Sequence, residues 1–358
     1  MEKEEDAEKK SNLGEASKEV DPVAEYWLRK IREEDEQERA KYPDEDWFDV
    51  LAIWARDYRE AWESYNAIHY GPFDRITSIP PMRYTDGPVS CHASDHYRTL
   101  QIFSVKIREL RRGLQWPLNV FGIVAVRDAI DHNRNIIFHR ERENCQILTE
   151  QDPYLVLTGP TRAVVVRTPV YFEAVLKLKG STESEDKELS FLTVSLTGSC
   201  EESSYTCLIN RDYTSRLSTL ELTFGRIVRS VEATVNVRIT DGAWPVGFYG
   251  RFTAQTASLE DNKILLLDSS GDENVPVDVD GVIKLSRRVA SVELEGELKV
   301  SVVALQCDND KIIIVGKDDK HFRPKRAGKS FGKLDVSFCK MEVTVFWSLI
   351  SLFPDEYS

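Results

Sequence analysis

From Tyr97 to Ser351 the chain alternates apolar and polar residues with a period of two, and that pattern confines it to strands. Val170, Phe172, Ala174, Leu176 and Leu178 point one way, while Glu173, Lys177 and Lys179 point the other. Val231, Ala233, Val235, Val237 and Ile239 alternate in the same manner with Glu232, Thr234, Asn236 and Arg238. Two further runs do likewise: Leu294, Leu298, Val300, Val302 and Ala304, then Met341, Val343, Val345, Trp347 and Leu349. Successive side chains leave a strand by opposite faces, so each stretch is expected to bury one face and wet the other. Asp241-Gly242, Ser270-Gly271 and Asp280-Gly281 supply turns between them. The expected architecture is mainly β, with an antiparallel, β-sandwich-like body over residues 98–351.

The alternating region also repeats itself. Trp116-Pro117 lies over Trp244-Pro245 at an offset of 128, and Phe121-Gly122 lies over Tyr249-Gly250 at the same offset. "NIIF" from Asn135 then aligns with "KILL" from Lys263. Further on, Phe172 to Leu178 align with Leu298 to Ala304 at an offset of 126, and "DKELSF" from Asp186 with "DKIIIV" from Asp310 at 124. Any two alternating strands match at their Val and Leu positions, but a Trp-Pro followed at equal spacing by aromatic-Gly needs more than alternation. The economical reading is two tandem β-units, 98–225 and 226–351. Trp116 and Trp244 are then expected in equivalent places, with Phe172 equivalent to Leu298. Pro117 and Pro245 would open strands where no N–H donor is needed. Gly122 and Gly250 would permit a bulge or close backbone approach.

A different periodicity precedes the strands. Residues 1–20 are charged, small and aperiodic, and are expected to form a disordered acidic tail. Residues 21–66 read as an arm of two helices, the first opened by Asp21 as N-cap with Pro22 behind it. On the second, Trp47, Leu51, Trp54, Tyr58, Trp62 and Tyr65 recur at spacings of three and four, so large side chains share one face. That stripe either docks the helix on the chain's own strands or serves as a face for a partner. Residues 67–97, dense in Pro and Gly, read as a linker or an extended wrap.

Charge sharpens the division. The formal net charge is -13, and residues 1–70 hold 21 acidic against 11 basic residues, so most of the acidity precedes the strands. An acidic arm argues against general binding to nucleic-acid phosphates, which needs Lys/Arg clusters. One basic stretch exists: Lys320, Arg323, Lys325, Arg326 and Lys329, read first as a solvated loop and second as an anion-binding or nuclear-import patch. Its "AGKS" is not a phosphate loop, because the first Gly of that motif would fall at Arg323. No apolar run approaches the ~20 residues of a membrane helix. The charged opening shows no leader, so an intracellular, cytoplasmic or nuclear protein is expected.

The six His and six Cys residues form no catalytic constellation in the sequence. His92 and His96 stand four apart but lack the Glu of a zinc-protease helix and a third ligand. The cysteines, Cys91, Cys145, Cys200, Cys207, Cys307 and Cys339, form no C-x-x-C pair and read as reduced thiols, with a Cys200–Cys207 bridge as the alternative. No nucleophile elbow or dinucleotide fingerprint occurs. Neither cofactor nor metal is expected.

In order along the chain, "PMRYTD" from Pro81, "LQIFSVKIRELRRGLQWPLNVFGIVAVRD", "DPYLVLTGPTRAVVV", "PVYFEAVLKLKG", "SRLSTLELTFGRIVRSVEATVNV", "VDVDGVIKLSRRV" and "CKMEVTVFWSLIS" resemble a large cereal-grass family. Its members carry a domain of unknown function. Some similar grass proteins place this domain behind a ribosome-inactivating N-glycosidase domain of the jasmonate-induced type, which implies a stress or defence setting. The acidic arm here is too short for such a domain, and "EAWESY" from Glu60 lacks the Arg of its catalytic helix. The leading expectation is therefore a non-enzymatic interaction module binding a protein partner or a small ligand. Two alternatives stand beside it. One is an accessory or enzymatic part of an RNA-acting defence system. The other is a carbohydrate-binding sandwich using Trp116 and Trp244 as platforms.

Overall fold

The computed structural model describes residues 44–87, 96–167, 169–196, 205–270, 274–308 and 311–352. The expected acidic tail, the first helix, Cys91, His92 and Cys200 lie outside these residues, as does the side chain of Trp47. Helix α1 (Asp44–Ala61) runs through a π-helical turn (Trp62–Asn66) into the single turn α2 (Ala67–Tyr70). Gly71 ends it with φ of +86°, its N–H donating to the Ala67 carbonyl at 2.9 Å.

Seventeen strands follow among the described residues. The first nine are β1 (Thr99–Leu110), β2 (Leu118–Arg127), β3 (Asn135–Arg140), β4 (Gln146–Leu148), β5 (Val164–Val165), β6 (Tyr171–Leu178), β7 (Lys187–Ser195), β8 (Cys207–Thr214) and β9 (Ser218–Ile227). The remainder are β10 (Ser230–Gly242), β11 (Phe248–Thr256), β12 (Ile264–Asp268), β13 (Val289–Glu293), β14 (Leu298–Asp308), β15 (Lys311–Phe322), β16 (Ala327–Asp335) and β17 (Cys339–Ser348). They form four sheets, ordered β5-β1-β9-β8, β3-β2-β6-β7 (with β4 on β2), β13-β10-β17-β16 and β12-β11-β14-β15. All neighbours on these paths are antiparallel.

The first two sheets share one core, in which Leu100, Ile102 and Phe224 of one sheet meet Val124, Phe172 and Leu176 of the other. The last two share a second core, with Val235, Val343 and Trp347 facing Phe252, Val300 and Val302. Each pair is a sandwich closed by apolar side chains from both inner faces. Strand order is the same in both: β1, β2, β3, β5, β6, β7, β8 and β9 occupy the places of β10, β11, β12, β13, β14, β15, β16 and β17.

Register agrees with strand order. Gly122 pairs with Leu176, and Gly250 pairs with Ala304. Irregularities interrupt the β2/β3 ladder between Val124 and Ala125 and the β11/β12 ladder between Phe252 and Thr253, the same offset of 128. The same is true of Leu176/Lys177 on β6 and Ala304/Leu305 on β14. This register corrects two of the alignments. Phe172 corresponds to Val300 rather than Leu298, because Val126 pairs with Phe172 and Ala254 with Val300. Asn135 corresponds to Ile264 rather than Lys263, from the pairs Val126–Asn135 and Ala254–Ile264. The first slip, of two residues, preserves the buried face, so alternation alone does not detect it; the second, of one residue, lies beyond the irregularity in each of those ladders.

Both tryptophans are half-buried, each packed on its own core. Trp244 spends its indole N–H on the Phe248 carbonyl at 2.9 Å. Pro117 stands directly before β2, whereas Pro245 opens the turn before β11, its carbonyl accepting from Phe248 N–H at 3.2 Å. Gly122 has φ of +121°, and a Cβ there would stand 2.1 Å from the Val175 carbonyl oxygen. Gly250 is extended, and its tight neighbours are the side chains of Val275, Phe252 and Trp244.

The second helix, expected in a separate arm, packs with the strands: residues 44–358 form one compact unit. Leu51 is 2% exposed and belongs to the first core. Residues 71–87 are the extended wrap, crossing from the first sandwich to the second. Thr77 N–H donates to the Arg134 carbonyl at 2.9 Å, and Thr85 Oγ1 donates to the Trp347 carbonyl at 3.0 Å. No helix among the described residues is long and apolar enough to cross a membrane.

Candidate functional site

The six-residue stripe on the second helix divides on folding. Leu51, Tyr58 and Trp62 turn inward, while Trp54 and Tyr65 remain exposed. Tyr58 packs on Tyr171 with ring centroids 4.5 Å apart, and Trp62 donates its indole N–H to the Gly71 carbonyl at 2.9 Å. Beneath them Arg127 stands over the rings of Trp62 and Phe73, at 4.8 and 4.2 Å. It donates to Glu173 at 3.0 and 3.1 Å and to the Phe73 carbonyl at 2.7 Å. Arg134 bonds the same carboxylate and also Asp74. Burial pulls the Arg127 guanidinium below its ordinary pKa, with Glu173 opposing that shift. Burial likewise pushes the Tyr58 phenol up.

Glu173 therefore departs from the expected wet face. It is 1% exposed, because helix and wrap cover the outer side of β6. The same correction applies to Glu232 on β10. Its carboxylate accepts Met82 N–H at 2.7 Å from the wrap and Ala163 N–H at 2.8 Å from the first sandwich. Burial raises its pKa, and the two backbone donors with Arg162 and Arg83 work against that rise. Arg162 is itself held by Asp128 at 2.7 and 2.9 Å and Asp131 at 3.1 Å. These charges are engaged with one another and with the backbone, and brace the fold.

The junction between sandwiches is built from strand faces that alternation assigns to solvent. Thr99 and Gln101, opposite to the core-facing Leu100 and Ile102, bond to Ser230 Oγ at 2.8 Å and Ser291 N–H at 2.8 Å. Arg287 donates to the Ile102 carbonyl at 2.6 Å, and burial holds its pKa down to about 10. Phe103, bulged out of β1, joins the second core.

Beside these bonds a cleft of about 500 Å³ opens at the junction. The first sandwich contributes Thr158, Pro160 and Thr161 from the segment leading into β5. The second contributes Asn236 of β10 and Lys284, Ser286 and Arg288 from the segment leading into β13, so corresponding segments of the two copies form the walls. Asn236 lies between Val235 and Val237, both core-facing, and so emerges on the outer side of its sheet. Its Oδ1 is buried without a hydrogen-bond partner among the described residues. The strap of chain before β13 that carries Lys284 to Arg288 is held at its backbone: Lys284 N–H donates to the Pro276 carbonyl at 2.8 Å, and Arg288 O accepts from Val235 N–H at 2.8 Å. Two other clefts are narrower in their sources. One of about 330 Å³ lies between α1 and β7, with Arg56 and Arg216 on its walls; the other, of about 260 Å³, is lined by Phe103, Leu155 and Leu265.

None of the cleft residues was singled out from sequence. Lys320 lies on β15, Arg323 to Arg326 on the connection to β16, and Lys329 on β16, away from the cleft lining. Lys329 pairs with Asp86 at 2.9 Å, and Lys325 Nζ donates to the Lys329 carbonyl at 2.6 Å. Cys145, Cys207, Cys307 and Cys339 are free thiols, with Cys339 buried. Among the described residues no three His, Cys, Asp or Glu side chains are grouped as metal ligands.

A family model described as a domain of unknown function, DUF6598, matches residues 99–345, which takes in both sandwiches. No curated protein matches the chain. Among solved structures, the paired C2 domains of Extended-Synaptotagmin 2 are similar at 10% identity, with a TM-score of 0.25, covering 77% of this chain and 100% of that one. Human GIVD cytosolic phospholipase A2 is similar at 9% identity and a TM-score of 0.23, over 71% of this chain. The match spans a third (33%) of that phospholipase.

Proposed function

The chain belongs to the DUF6598 family, defined by a domain of unknown function, and on that footing we propose that it is a non-enzymatic binding module whose small polar ligand sits in the cleft between its two sandwiches. One observation carries this reading. Uncommitted polar side chains from both halves converge on one cleft, while the buried charges around it are consumed by the fold. Thr158, Thr161 and Asn236 supply directional hydrogen bonds, and Pro160 and Leu285 supply apolar wall, a common composition for ligand sites. The resemblance to grass proteins supports a stress or defence setting for that binding.

Ser286 lines this cleft and its smaller neighbour, so a bulky side chain there fills the space a ligand would take. In a screen of small polar metabolites read by melting temperature, a compound that binds the native state raises the midpoint. Ser286→Phe is expected to abolish that rise while leaving the unliganded midpoint within a few degrees. A rise that survives Ser286→Phe unchanged places the ligand elsewhere and contradicts the reading.

A further inference from the structure

We infer that the ligand of the junction cleft is an oxyanion carried on a hydroxyl-bearing scaffold, a hydroxycarboxylate or a sugar phosphate; this rests on the cleft being the binding site. Two cations, Lys284 and Arg288, stand on one wall, both exposed and neither engaged in an ion pair among the described residues. Their strap is fixed by backbone bonds on either side, so little ordering remains to be done when an anion arrives. Asp278 is the acidic residue of the lining, and its Oδ1 already accepts from Asp280 N–H and Val282 N–H, both at 2.9 Å. That leaves one positive charge uncompensated in the cleft. Lys and Arg together suit a tetrahedral or planar oxyanion, Arg through its fork and Lys as a point charge.

The rest of the lining asks for something else. Asn236 Oδ1 is a buried acceptor with no donor, which an anion cannot satisfy but a ligand hydroxyl can. The hydroxyls of Thr158 and Thr161 can donate or accept beside it. A bare inorganic anion would occupy the cationic wall and leave this acceptor empty. A hydroxylated anion satisfies both.

Calorimetric titration of the full chain with citrate, glucose 6-phosphate, glucose and inorganic phosphate tests this. Citrate or glucose 6-phosphate should bind saturably, at least tenfold more weakly to the Lys284→Gln/Arg288→Gln double variant and undetectably to Ser286→Phe. Which of the two binds separates carboxylate from phosphate. Inorganic phosphate binding as tightly as glucose 6-phosphate overturns the hydroxylated scaffold. Glucose binding as tightly as glucose 6-phosphate, lost in Ser286→Phe but indifferent to the charge variant, overturns the oxyanion and leaves the cleft as the site. Binding by none of the four overturns the inference, and binding that Ser286→Phe does not alter overturns both it and the proposed site.

Discussion

Glu173→Ala is expected to destabilise the protein by about 3–5 kcal/mol, the usual consequence of leaving buried charge unpaired. The carboxylate is 1% exposed and answers two guanidiniums, Arg127 and Arg134, themselves 1% and 4% exposed. Removing it leaves Arg127 against Trp62 and Phe73 and Arg134 against Phe73, with the carbonyls of Phe73 and His132 and the exposed Asp74 as the remaining acceptors among the described residues. The melting midpoint should fall by roughly 10 °C. Glu173→Gln, which keeps one acceptor oxygen, should lose less. Equal midpoints for wild type and Glu173→Ala would show that the two arginines do not depend on this carboxylate.

Beginning the chain at residue 80 should abolish cooperative melting, while beginning it at residue 44 should preserve it. The first deletion strips Leu51, Trp62 and Phe73, each 2% exposed, from the first sandwich. At ~1.5–3 kcal/mol for each large buried apolar side chain, the loss approaches the whole stability of an ordinary domain. It also uncovers Arg127 and Glu173. Retained secondary structure with lost near-ultraviolet dichroism and dye binding is the expected state of the shorter chain. A shorter chain that melts as sharply as the longer one would show that the helix merely decorates the strands.

The two examples mark where sequence reading succeeds and where it stops. Alternation identifies strands and the repeated Trp-Pro and aromatic-Gly spacing identifies the copies, because both are local signals. What lies opposite a strand face is not local. Glu173 and Glu232 sit at positions that alternation assigns to water, yet the helix and wrap cover one and the first sandwich covers the other. The stripe Leu51–Tyr58–Trp62 was legible as an apolar face, but nothing in its spacing says whether its partner is inside or outside the chain. The cleft was not legible at all. Thr161, Asn236 and Arg288 are ordinary polar residues in sequence, and they acquire a common purpose only when two corresponding segments are brought together across a junction. The sequence does hold one hint: "RAVVV" from Arg162 resembles "RVASV" from Arg288, and the stretches just before each are rich in Arg, Thr and Ser.

In the proposed function, both sandwiches contribute to one binding site. Amide hydrogen exchange of the full chain, with and without the tightest compound from the melting screen, addresses it peptide by peptide. Slower exchange should appear together in peptides covering residues 158–161 and 282–289, and be absent from both in Ser286→Phe. Protection confined to one sandwich, or found only along the Arg56–Arg216 groove, would contradict the claim.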